Sequence, residues 1–315
     1  MMTNDMTLYT LKNGSFTAVI NLSRGANCIS LRQEALGACL LREPTYAEGE
    51  HPFLYGMPLL FPVNRISGGG FTFEGRDYRF PINEESTGCH LHGVLHAHPF
   101  SLIEGDGTYA VCLCHVDGSE LYPSFPHTFE IRITYRLEAD GLTQLTEITN
   151  LSDTAMPCLI GYHTTFCVPF IRGGEVRVTA QLSQEYARGA DYLPTGEIPE
   201  PDEVMRALTT DGFDPLSRPI SRHCRAGGTG RMVLEDIRHG QRVVYENDEA
   251  WRFRLIYNGD ADGFLCLEPQ NCMVDAPNNV FGRKRSGFDA IEPGAKRCFR
   301  SAIRLEQIPL ATDLK

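Results

Sequence analysis

The sequence lacks the features that define several large protein classes. No stretch approaches the roughly 18 consecutive apolar residues of a membrane-spanning helix. Residues 1–6 contain no basic region followed by an apolar run, so we expect no signal peptide. The sequence also has no nucleophile elbow, phosphate-binding loop or dinucleotide-binding fingerprint. These absences argue against a membrane protein and against motif-defined hydrolases and nucleotide-dependent enzymes.

Positive charge is scarce in this chain. Its 29 Lys and Arg residues stand against 40 Asp and Glu residues, which gives a formal net charge of −11. Proteins that bind nucleic acids or anionic membranes usually present a basic face. We therefore expect neither a nucleic acid nor a membrane among its partners.

The cysteines show no pattern of a disulfide framework or a redox motif. There are 11, an odd number, and no two of them form a Cys-x-x-Cys pair. A chain of 315 residues can bury a sizeable core without disulfides or metals. The cysteines therefore predict reduced, mostly buried thiols and a cytoplasmic location. Cys89 lies beside a histidine but has no motif context, so we do not predict it as a nucleophile.

Long amphipathic helices are also absent, and short strand-like runs take their place. Residues 129–137 alternate between apolar and polar side chains, and similar runs separated by Gly and Pro recur along the chain. Only residues 202–208, within an irregular region, suggest a short helix. This pattern predicts an all-β protein built as a sandwich or barrel-like pair of sheets. Because no linker-like stretch interrupts it, we expect one domain over residues 1–315.

The clearest local element is a β-hairpin at residues 71–80. Apolar side chains alternate on both sides of a Glu-Gly turn, as expected for two short paired strands. We expect its buried side to consist of Phe71, Phe73, Tyr78 and Phe80.

Residues 264–268 predict a strand that is buried on both faces, because they are apolar up to Glu268. Side chains alternate along a strand, so Phe264 and Cys266 share a face with Glu268. Pro269 has no N–H, and we expect the strand to end there. A carboxylate at the end of a buried strand needs either a partner or a chemical role. From the residues alone, Glu268 is either part of an ion pair in the core or a functional base, and both alternatives remain open.

Two further polar features interrupt apolar runs. Arg65 follows Asn64 at the end of one run. Its guanidinium group either forms a structural ion pair or offers its N–H donors to a polyhydroxylated or anionic ligand. His163 lies in another apolar run, where a lone histidine is more often a core residue unless a carboxylate faces it. If His163 and Glu268 face each other across a cleft, they form an acid/base pair.

Four histidines are concentrated in one loop-like segment, at His90, His92, His96 and His98. Alternating histidines can bind zinc, but no acidic residue and no cysteine except Cys89 lies at ligand spacing. We therefore predict no metal site. A histidine that contacts a substrate is the preferred interpretation, and a surface loop is the simplest one.

Taken in order, several segments resemble the aldose 1-epimerase (galactose mutarotase) family. They are residues 56–66 (GMPLLFPVNRI), 91–93 (LHG), 161–163 (GYH), 266–271 (CLEPQN) and 275–278 (DAPN). The resemblance implies a large antiparallel β-sandwich, often called a supersandwich, with a small-molecule sugar in an open cleft across one sheet. It implies no metal and no organic cofactor. We expect a monomer or a homodimer.

The resemblance also implies roles for particular residues. Glu268 would be the general base that removes the proton of the anomeric hydroxyl, and His163 the general acid that protonates the ring oxygen. Arg65 and His92 would hydrogen-bond the sugar, with Asn64 beside them. The implied reaction opens the sugar ring and closes it again as the other anomer.

One segment departs from the family pattern. Galactose-type members have an Asp that binds sugar hydroxyls, at a position that corresponds to about residues 220–225. This sequence has no Asp in that segment. Arg222 and His223 occupy the region instead. We expect His223 to replace the Asp as a hydroxyl partner, while Arg222, His223 and Arg225 together would also suit an acidic or phosphorylated sugar.

Three hypotheses about function therefore stand. The preferred one is an aldose 1-epimerase-like isomerase that interconverts α and β anomers. The others are a non-catalytic carbohydrate-binding module on the same fold and an epimerase for a phosphorylated hexose.

Overall fold

The computed structural model describes residues 6–47 and 49–309. Residues 1–5, on which the expectation of no signal peptide largely rests, lie outside the described residues. In the described part no helix has the length and apolar character needed to cross a membrane.

The described residues form 25 strands. The first thirteen are β1 (Leu8–Asn13), β2 (Phe16–Asn21), β3 (Asn27–Gln33), β4 (Ala38–Cys39), β5 (Leu59–Leu60), β6 (Arg65–Ser67), β7 (Gly70–Phe73), β8 (Arg76–Arg79), β9 (Cys89–Leu91), β10 (Ser101–Gly105), β11 (Tyr109–Val116), β12 (Phe129–Leu137) and β13 (Gly141–Asn150). The others are β14 (Met156–Pro157), β15 (Gly161–Tyr162), β16 (Thr165–Cys167), β17 (Val176–Ala180), β18 (Leu182–Glu185), β19 (Ser221–Ala226), β20 (Met232–Asp236), β21 (Gln241–Asn247), β22 (Phe253–Tyr257), β23 (Phe264–Gln270), β24 (Ala290–Ile291) and β25 (Lys296–Gln307).

Helical structure is short and local. The α-helices are α1 (Glu203–Arg206) and α2 (Arg283–Ser286), and single 3₁₀ turns span Glu34–Leu36 and Leu95–Ala97. The side chain of Asp202 caps α1, and a π-helical turn at Ala207–Asp211 continues it. The short helix predicted at residues 202–208 is confirmed.

Two large antiparallel sheets dominate the architecture. The eight-stranded sheet has the order β10-β11-β12-β13-β25-β21-β20-β17, and the seven-stranded sheet has the order β18-β19-β22-β23-β15-β5 with β16 paired to β23. A four-stranded sheet, β1-β2-β3-β4, and the pairs β6-β9, β7-β8 and β14-β24 complete the described strands. All these pairings are antiparallel. The predicted all-β antiparallel sandwich is confirmed.

The main core lies between the two large sheets. Strand β12 buries alternate residues along its whole length, as its sequence pattern predicts. The ring of Phe166 on β16 lies 5.4 Å from the ring of Tyr245 on β21. The hydroxyl groups of Tyr162 on β15 and Thr146 on β13 are hydrogen-bonded at 2.7 Å. This hydrogen bond pairs two buried hydroxyl groups across the core and helps to fix how the sheets face each other.

The hairpin prediction is confirmed, with one difference in burial. Strands β7 and β8 pair around the Glu-Gly turn, and Phe71, Tyr78 and Phe80 are buried. Phe73 is only half-buried, because it lies next to the turn at the end of the hairpin, where its ring packs edge-on against Phe288.

Strand β23 is fully buried along all seven residues, as predicted, but the prediction that it ends at Pro269 is wrong. The N–H groups of Leu267 and Asn271 donate to the carbonyls of Thr164 and Ile160 in the neighbouring segment. The nitrogen of Pro269 faces the same side, midway between them. The neighbouring segment is unpaired there, between β15 and β16, so the missing N–H removes no hydrogen bond from the ladder.

All 11 cysteines lie within the described residues, and all are free thiols, most of them buried. This agrees with the prediction of reduced, buried thiols. The single domain, the monomer or homodimer and the cytoplasmic location stay predictions.

Candidate active site

An open cleft of about 380 Å³ lies on the face of the seven-stranded sheet that is turned away from the eight-stranded sheet. Five of the six residues that the sequence singled out for the site line this cleft. They are Asn64, Arg65, His92, His163 and Glu268. A concave site of this size with convergent polar side chains is typical of small-molecule binding.

The floor of the cleft follows from the register of three neighbouring strands. In an antiparallel pair, residues directly opposite each other point to the same face. Leu255 on β22 lies opposite Glu268 on β23, and Tyr257 on β22 lies opposite Ser221 on β19. These four side chains therefore project from one face of the sheet into the cleft.

Glu268 and His163 face each other at the bottom of the cleft. The Nε2 atom of His163 lies 3.2 Å from the Oε1 atom of Glu268, and their side chains are only 7% and 1% exposed. The other carboxyl oxygen, Oε2, accepts a hydrogen bond of 3.2 Å from the side chain of Gln270. The backbone N–H of His163 donates to the carbonyl of Pro58, which anchors the histidine between β15 and β16.

Burial changes the ionisation of both groups. It raises the pKa of Glu268 to about 8, against the opposing effects of Arg188, the Gln270 hydrogen bond and Arg65. It lowers the pKa of His163 to about 3. Near pH 7 the pair therefore holds a single exchangeable proton, and its summed charge is zero.

Asn64 and His92 are held in a strained backbone conformation beside this pair. Their φ angles are +58° and +63°, in the left-handed region that most residues avoid. The N–H of His92 donates to the carbonyl of Asn64 at 3.0 Å, so the two segments fix each other. The ring of His92 lies edge-on to that of His163 at 5.4 Å, and the ring of Phe53 lies 4.6 Å from that of His92. Strain of this kind is often concentrated at functional sites.

Gly93 explains the sharp turn after His92. Its φ angle is +65°, and a Cβ atom at this position would lie 1.9 Å from the carbonyl oxygen of Phe61. Only glycine allows the chain to pass so close to the neighbouring backbone. The backbone therefore requires the glycine of the LHG segment, and the turn at this glycine places the His92 ring in the cleft.

Arg65 forms the structural ion pair that one interpretation of its sequence context predicted, and its role as a donor to a ligand stays a prediction. Its Nε and Nη2 atoms each donate to a carboxylate oxygen of Glu84 at 2.6 Å, which is a bidentate ion pair. The guanidinium group also lines the cleft and lies 4.5 Å from the ring of Tyr192. The N–H of Asp275, in the DAPN segment, donates to the carbonyl of Arg65 and supports its backbone.

Arg188 and Tyr192 also line the cleft, and sequence reasoning missed both. The Nη2 atom of Arg188 donates to the carbonyl and hydroxyl oxygens of Ser221, at 2.9 and 2.7 Å. Its guanidinium group lies 5.8 Å from the ring of Tyr192, whose φ angle is +61°. Burial, followed by the charge of Arg65, lowers the pKa of Arg188 to about 10. Both residues belong to an irregular stretch with no periodic pattern, so the sequence contained no signal for them.

His223 is placed differently from the other predicted site residues. It lies on β19 opposite Leu255, in the same row as Glu268, but it is fully buried and does not line the cleft. The rings of Tyr186 and Phe253 lie 5.8 and 6.1 Å from it. Within the described chain neither ring nitrogen has a hydrogen-bond partner. A role for His223 in binding stays a prediction.

The other basic residues of this segment do not reach the cleft. Arg222 points to the opposite face of β19, where it pairs with Glu185 at 2.9 Å and Asp202 at 2.6 Å. Arg225 is exposed, with its guanidinium group 5.8 Å from the ring of Phe253. The argument that these two arginines accommodate a phosphorylated sugar therefore has no support from their positions.

Comparison with known protein families identifies the family to which this chain belongs. The sequence model of the aldose 1-epimerase family matches residues 7–288. The chain belongs to the aldose 1-epimerase family. This finding confirms the resemblance drawn from the sequence segments.

Similar proteins share the aldose 1-epimerase fold along nearly their whole length. A galactose mutarotase-like protein from Clostridium acetobutylicum is 28% identical, with 97% of this chain and 100% of that chain covered and a TM-score of 0.89. A galactose 1-epimerase from Lactobacillus acidophilus is 16% identical, with coverage of 98% and 97% and a TM-score of 0.74, a likeness of fold alone. The Escherichia coli protein YphB is 24% identical over 308 residues, which are 96% of this chain and 99% of that protein.

Two of the other histidines in this aldose 1-epimerase family member, His90 and His96, pack against aromatic rings. The Nδ1 atom of His90 lies 2.8 Å from the carbonyl oxygen of Pro81, and its ring stacks on Phe80. The ring of His96 packs edge-on against Phe53 at 4.4 Å. Across residues 6–47 and 49–309, no three His, Cys, Asp or Glu side chains are grouped so that they could hold a metal ion.

Proposed function

We propose that this protein interconverts the α and β anomers of an aldose by acid/base-catalysed ring opening and closure. The observation that carries the proposal is the Glu268–His163 pair, 3.2 Å apart and buried at the bottom of the cleft. Membership of the aldose 1-epimerase family supports the same reaction. A carboxyl group and an imidazole that share one proton provide both a base and an acid in one site.

Each step of the reaction balances in protons. With the shared proton on His163, the carboxylate of Glu268 takes the proton of the anomeric hydroxyl. His163 gives its proton to the ring oxygen, and the bond between the ring oxygen and the anomeric carbon breaks. The resulting aldehyde rotates by half a turn about its bond to the next carbon. The same two proton transfers in reverse then close the ring as the other anomer.

The neighbouring groups suit a polyhydroxylated substrate. The ion pair with Glu84 occupies Nε and Nη2 of Arg65, so its Nη1 group can donate to a sugar oxygen. Burial lowers the pKa of His92, so its neutral ring can both donate and accept a hydrogen bond. Donors fixed near the ring oxygen stabilise charge that develops there during ring opening.

A non-catalytic sugar-binding module is the competing hypothesis. Such a module gains nothing from a buried carboxyl group, because burying one without a full set of partners costs free energy. The Oε1 atom of Glu268 lies 3.2 Å from Nε2 of His163, but this contact lacks hydrogen-bond geometry, and no other group in the described chain donates to it. A group kept in this state at the bottom of a cleft favours a chemical role over binding alone.

The test is a mutarotation assay on freshly dissolved α-aldoses, followed by polarimetry or by proton exchange NMR. The panel should contain neutral, acidic and phosphorylated aldoses. We expect faster anomer exchange than the spontaneous rate for at least one sugar. Glu268→Gln and His163→Asn should each lower kcat/KM by about 10²-fold or more.

The chain offers a matched control for these variants. Glu130 and His115 form another His–Glu pair, with a distance of 3.3 Å, but this pair is exposed on the eight-stranded sheet. Glu130→Gln and His115→Asn should leave mutarotation unchanged. If calorimetry detects sugar binding while no aldose exchanges faster than in buffer, the protein is a binding module and the proposal is wrong.

A further inference from the structure

The positive and negative charges of the groups that line the cleft do not sum to zero. Arg65 is neutralised by its bidentate pair with Glu84. Within the described chain, Arg188 has no carboxylate at ion-pair distance, and its recorded polar contacts are those with Ser221. Glu268 and His163 lie at the bottom of the cleft, and His51 and His92 also line it. Burial lowers the pKa of His51 and of His92, which favours their neutral forms, so neither supplies a negative charge.

The acid/base chemistry cannot supply the missing negative charge. An active pair needs one shared proton, and its summed charge is zero whether that proton lies on Glu268 or on His163. The guanidinium group of Arg188 therefore stays uncompensated in each step of the proposed reaction. Arg188 is half-buried, and a positive charge partly removed from water without a partner is costly, a cost that an anion beside it relieves. The excess is local, because the whole chain has a net charge of −11.

We propose that the cleft accepts an aldose with one negatively charged substituent, a carboxylate or a phosphate, and that Arg188 binds this substituent. The inference rests on the proposed mutarotase function and names its substrate class. Arg188 becomes the residue that determines specificity in this cleft.

The geometry around Arg188 suits an anionic group. Its Nη2 atom is held by Ser221, which leaves the Nε and Nη1 donors for a ligand. The hydroxyl of Ser221 accepts from Arg188, so its own proton remains available to donate to the same ligand. Both guanidinium groups lie near the ring of Tyr192, that of Arg65 at 4.5 Å and that of Arg188 at 5.8 Å. This arrangement fixes Arg188 in advance of binding, which lowers the entropy cost of recognition.

A different role for Arg188 would be electrostatic support of the Glu268 carboxylate. In that case the substrate would be neutral, and removal of the arginine would slow all aldoses alike. The two roles predict opposite patterns of selectivity, so the same variant distinguishes them.

The experiment compares aldoses that differ only at carbon 6. We would measure kcat and KM for glucose, glucuronic acid and glucose 6-phosphate, and for the matching galactose series. We expect the wild-type protein to prefer one charged sugar over its neutral counterpart by about 10- to 100-fold in kcat/KM, the range of one charge-assisted hydrogen-bonding contact. Arg188→Met should remove this preference mainly by raising KM for the charged sugar, so that kcat/KM falls by at least about 10-fold more for the charged sugar than for its neutral counterpart.

Arg225→Met is the matched control, because Arg225 is exposed on the same strand as Ser221 but outside the cleft. It should keep the wild-type selectivity. A wild-type preference for neutral aldoses would overturn the proposal, and so would an equal loss for neutral and charged sugars in Arg188→Met.

Calorimetry with the same sugars separates this inference from the proposed reaction. If no aldose exchanges anomers but charged sugars bind selectively, and Arg188→Met abolishes that binding, the anion site stands and the catalytic function does not. If mutarotation is absent and charged and neutral sugars bind alike, both are overturned.

Discussion

At the scale of single residues, the cleft depends on a carboxyl group and an imidazole that burial keeps mostly uncharged. The pKa of Glu268 is raised to about 8 and that of His163 is lowered to about 3. Between these values the pair holds one proton in total, which is the state that can both accept and donate a proton. The pH range of activity therefore belongs to the pair rather than to either residue.

We expect kcat/KM for mutarotation to be flat from about pH 5 to 7.5 and to fall as the pH rises through about 8. Above that value the pair loses its shared proton, and His163 can no longer protonate the ring oxygen. The measurement is a pH–rate profile with a sugar whose own charge is constant over this range. A limb near pH 6.5, the usual value of an exposed histidine, would contradict this assignment.

Gly93 and Gly88 allow a test of the close backbone approach behind His92. Both have φ angles of +65°, but a Cβ at residue 93 would lie 1.9 Å from the Phe61 carbonyl oxygen, whereas one at residue 88 would meet nothing within 4 Å. Gly88→Ala should cost about 1–2 kcal/mol, the usual penalty of the left-handed conformation. Gly93→Ala should cost more and reduce mutarotation, because the segment must move. Equal losses of stability in urea denaturation would contradict the role of this contact.

The residues of the candidate site could be selected from the sequence to a large extent. Asn64, Arg65, His163 and Glu268 interrupt or end apolar runs, where polar residues need a reason, and His92 belongs to the segment in which histidines are concentrated. Arg188 and Tyr192 could not be selected, because their position depends on contacts with Ser221 and Arg65, distant in the sequence. The burial of His223 could not be predicted either, because a basic residue in a polar segment is expected to be exposed.

At the scale of elements, the sequence predicts strands where one face is buried and the other is not. Strand β12 shows this most clearly, because its burial alternates at each step. The end of β23 shows the opposite case. Whether Pro269 ends the strand depends on its neighbour, and the gap between β15 and β16 is a long-range feature that local sequence does not record.

The alternation on β12 predicts unequal effects for adjacent substitutions. Ile133 is fully buried in the core between the sheets, and Thr134 points to the opposite face. Ile133→Ala should lower the free energy of unfolding by about 2–5 kcal/mol, because it removes buried methyl groups and leaves a cavity. Thr134→Ala should change it by less than about 1 kcal/mol. Chemical denaturation would measure both, and similar losses would show that the register of β12 is not as described.

At the scale of the whole molecule, the sequence predicted the fold class and family better than the arrangement of its parts. Many short strands between Gly and Pro turns indicate two packed sheets, and the ordered segments indicate the family. The pairing of β19 with β22, which places Ser221 opposite Tyr257 in the cleft, joins strands that β20 and β21 separate in the chain. Register of this kind is set by tertiary packing and is not visible in local patterns.

Buried histidines give the whole molecule a predictable response to acid. Burial lowers the pKa of His96 and His127 to about 4 and of His163 and His223 to about 3. In the unfolded chain these groups take up a proton near pH 6.5. Below that pH the histidines are protonated in the unfolded state but stay unprotonated in the folded state, so the free energy of unfolding falls as the pH falls. Glu268, Asp248 and Asp275 act in the opposite sense, because a raised carboxyl pKa favours the folded state at lower pH. The histidines outnumber them, since burial also lowers the pKa of His51, His90 and His92.

We therefore expect a lower Tm at pH 5.5 than at pH 7.5, with each buried histidine contributing up to about 1.4 kcal/mol at one pH unit below its unfolded value. His223→Phe should flatten this dependence, because phenylalanine suits a pocket between Tyr186 and Phe253 and takes up no proton on unfolding. His115→Gln is the control, since its side chain is 51% exposed, and it should keep the wild-type slope. Thermal unfolding at constant ionic strength provides the measurement. A Tm that does not change between the two pH values, or a His223→Phe variant with the wild-type slope, would show that burial of these rings does not control the acid response.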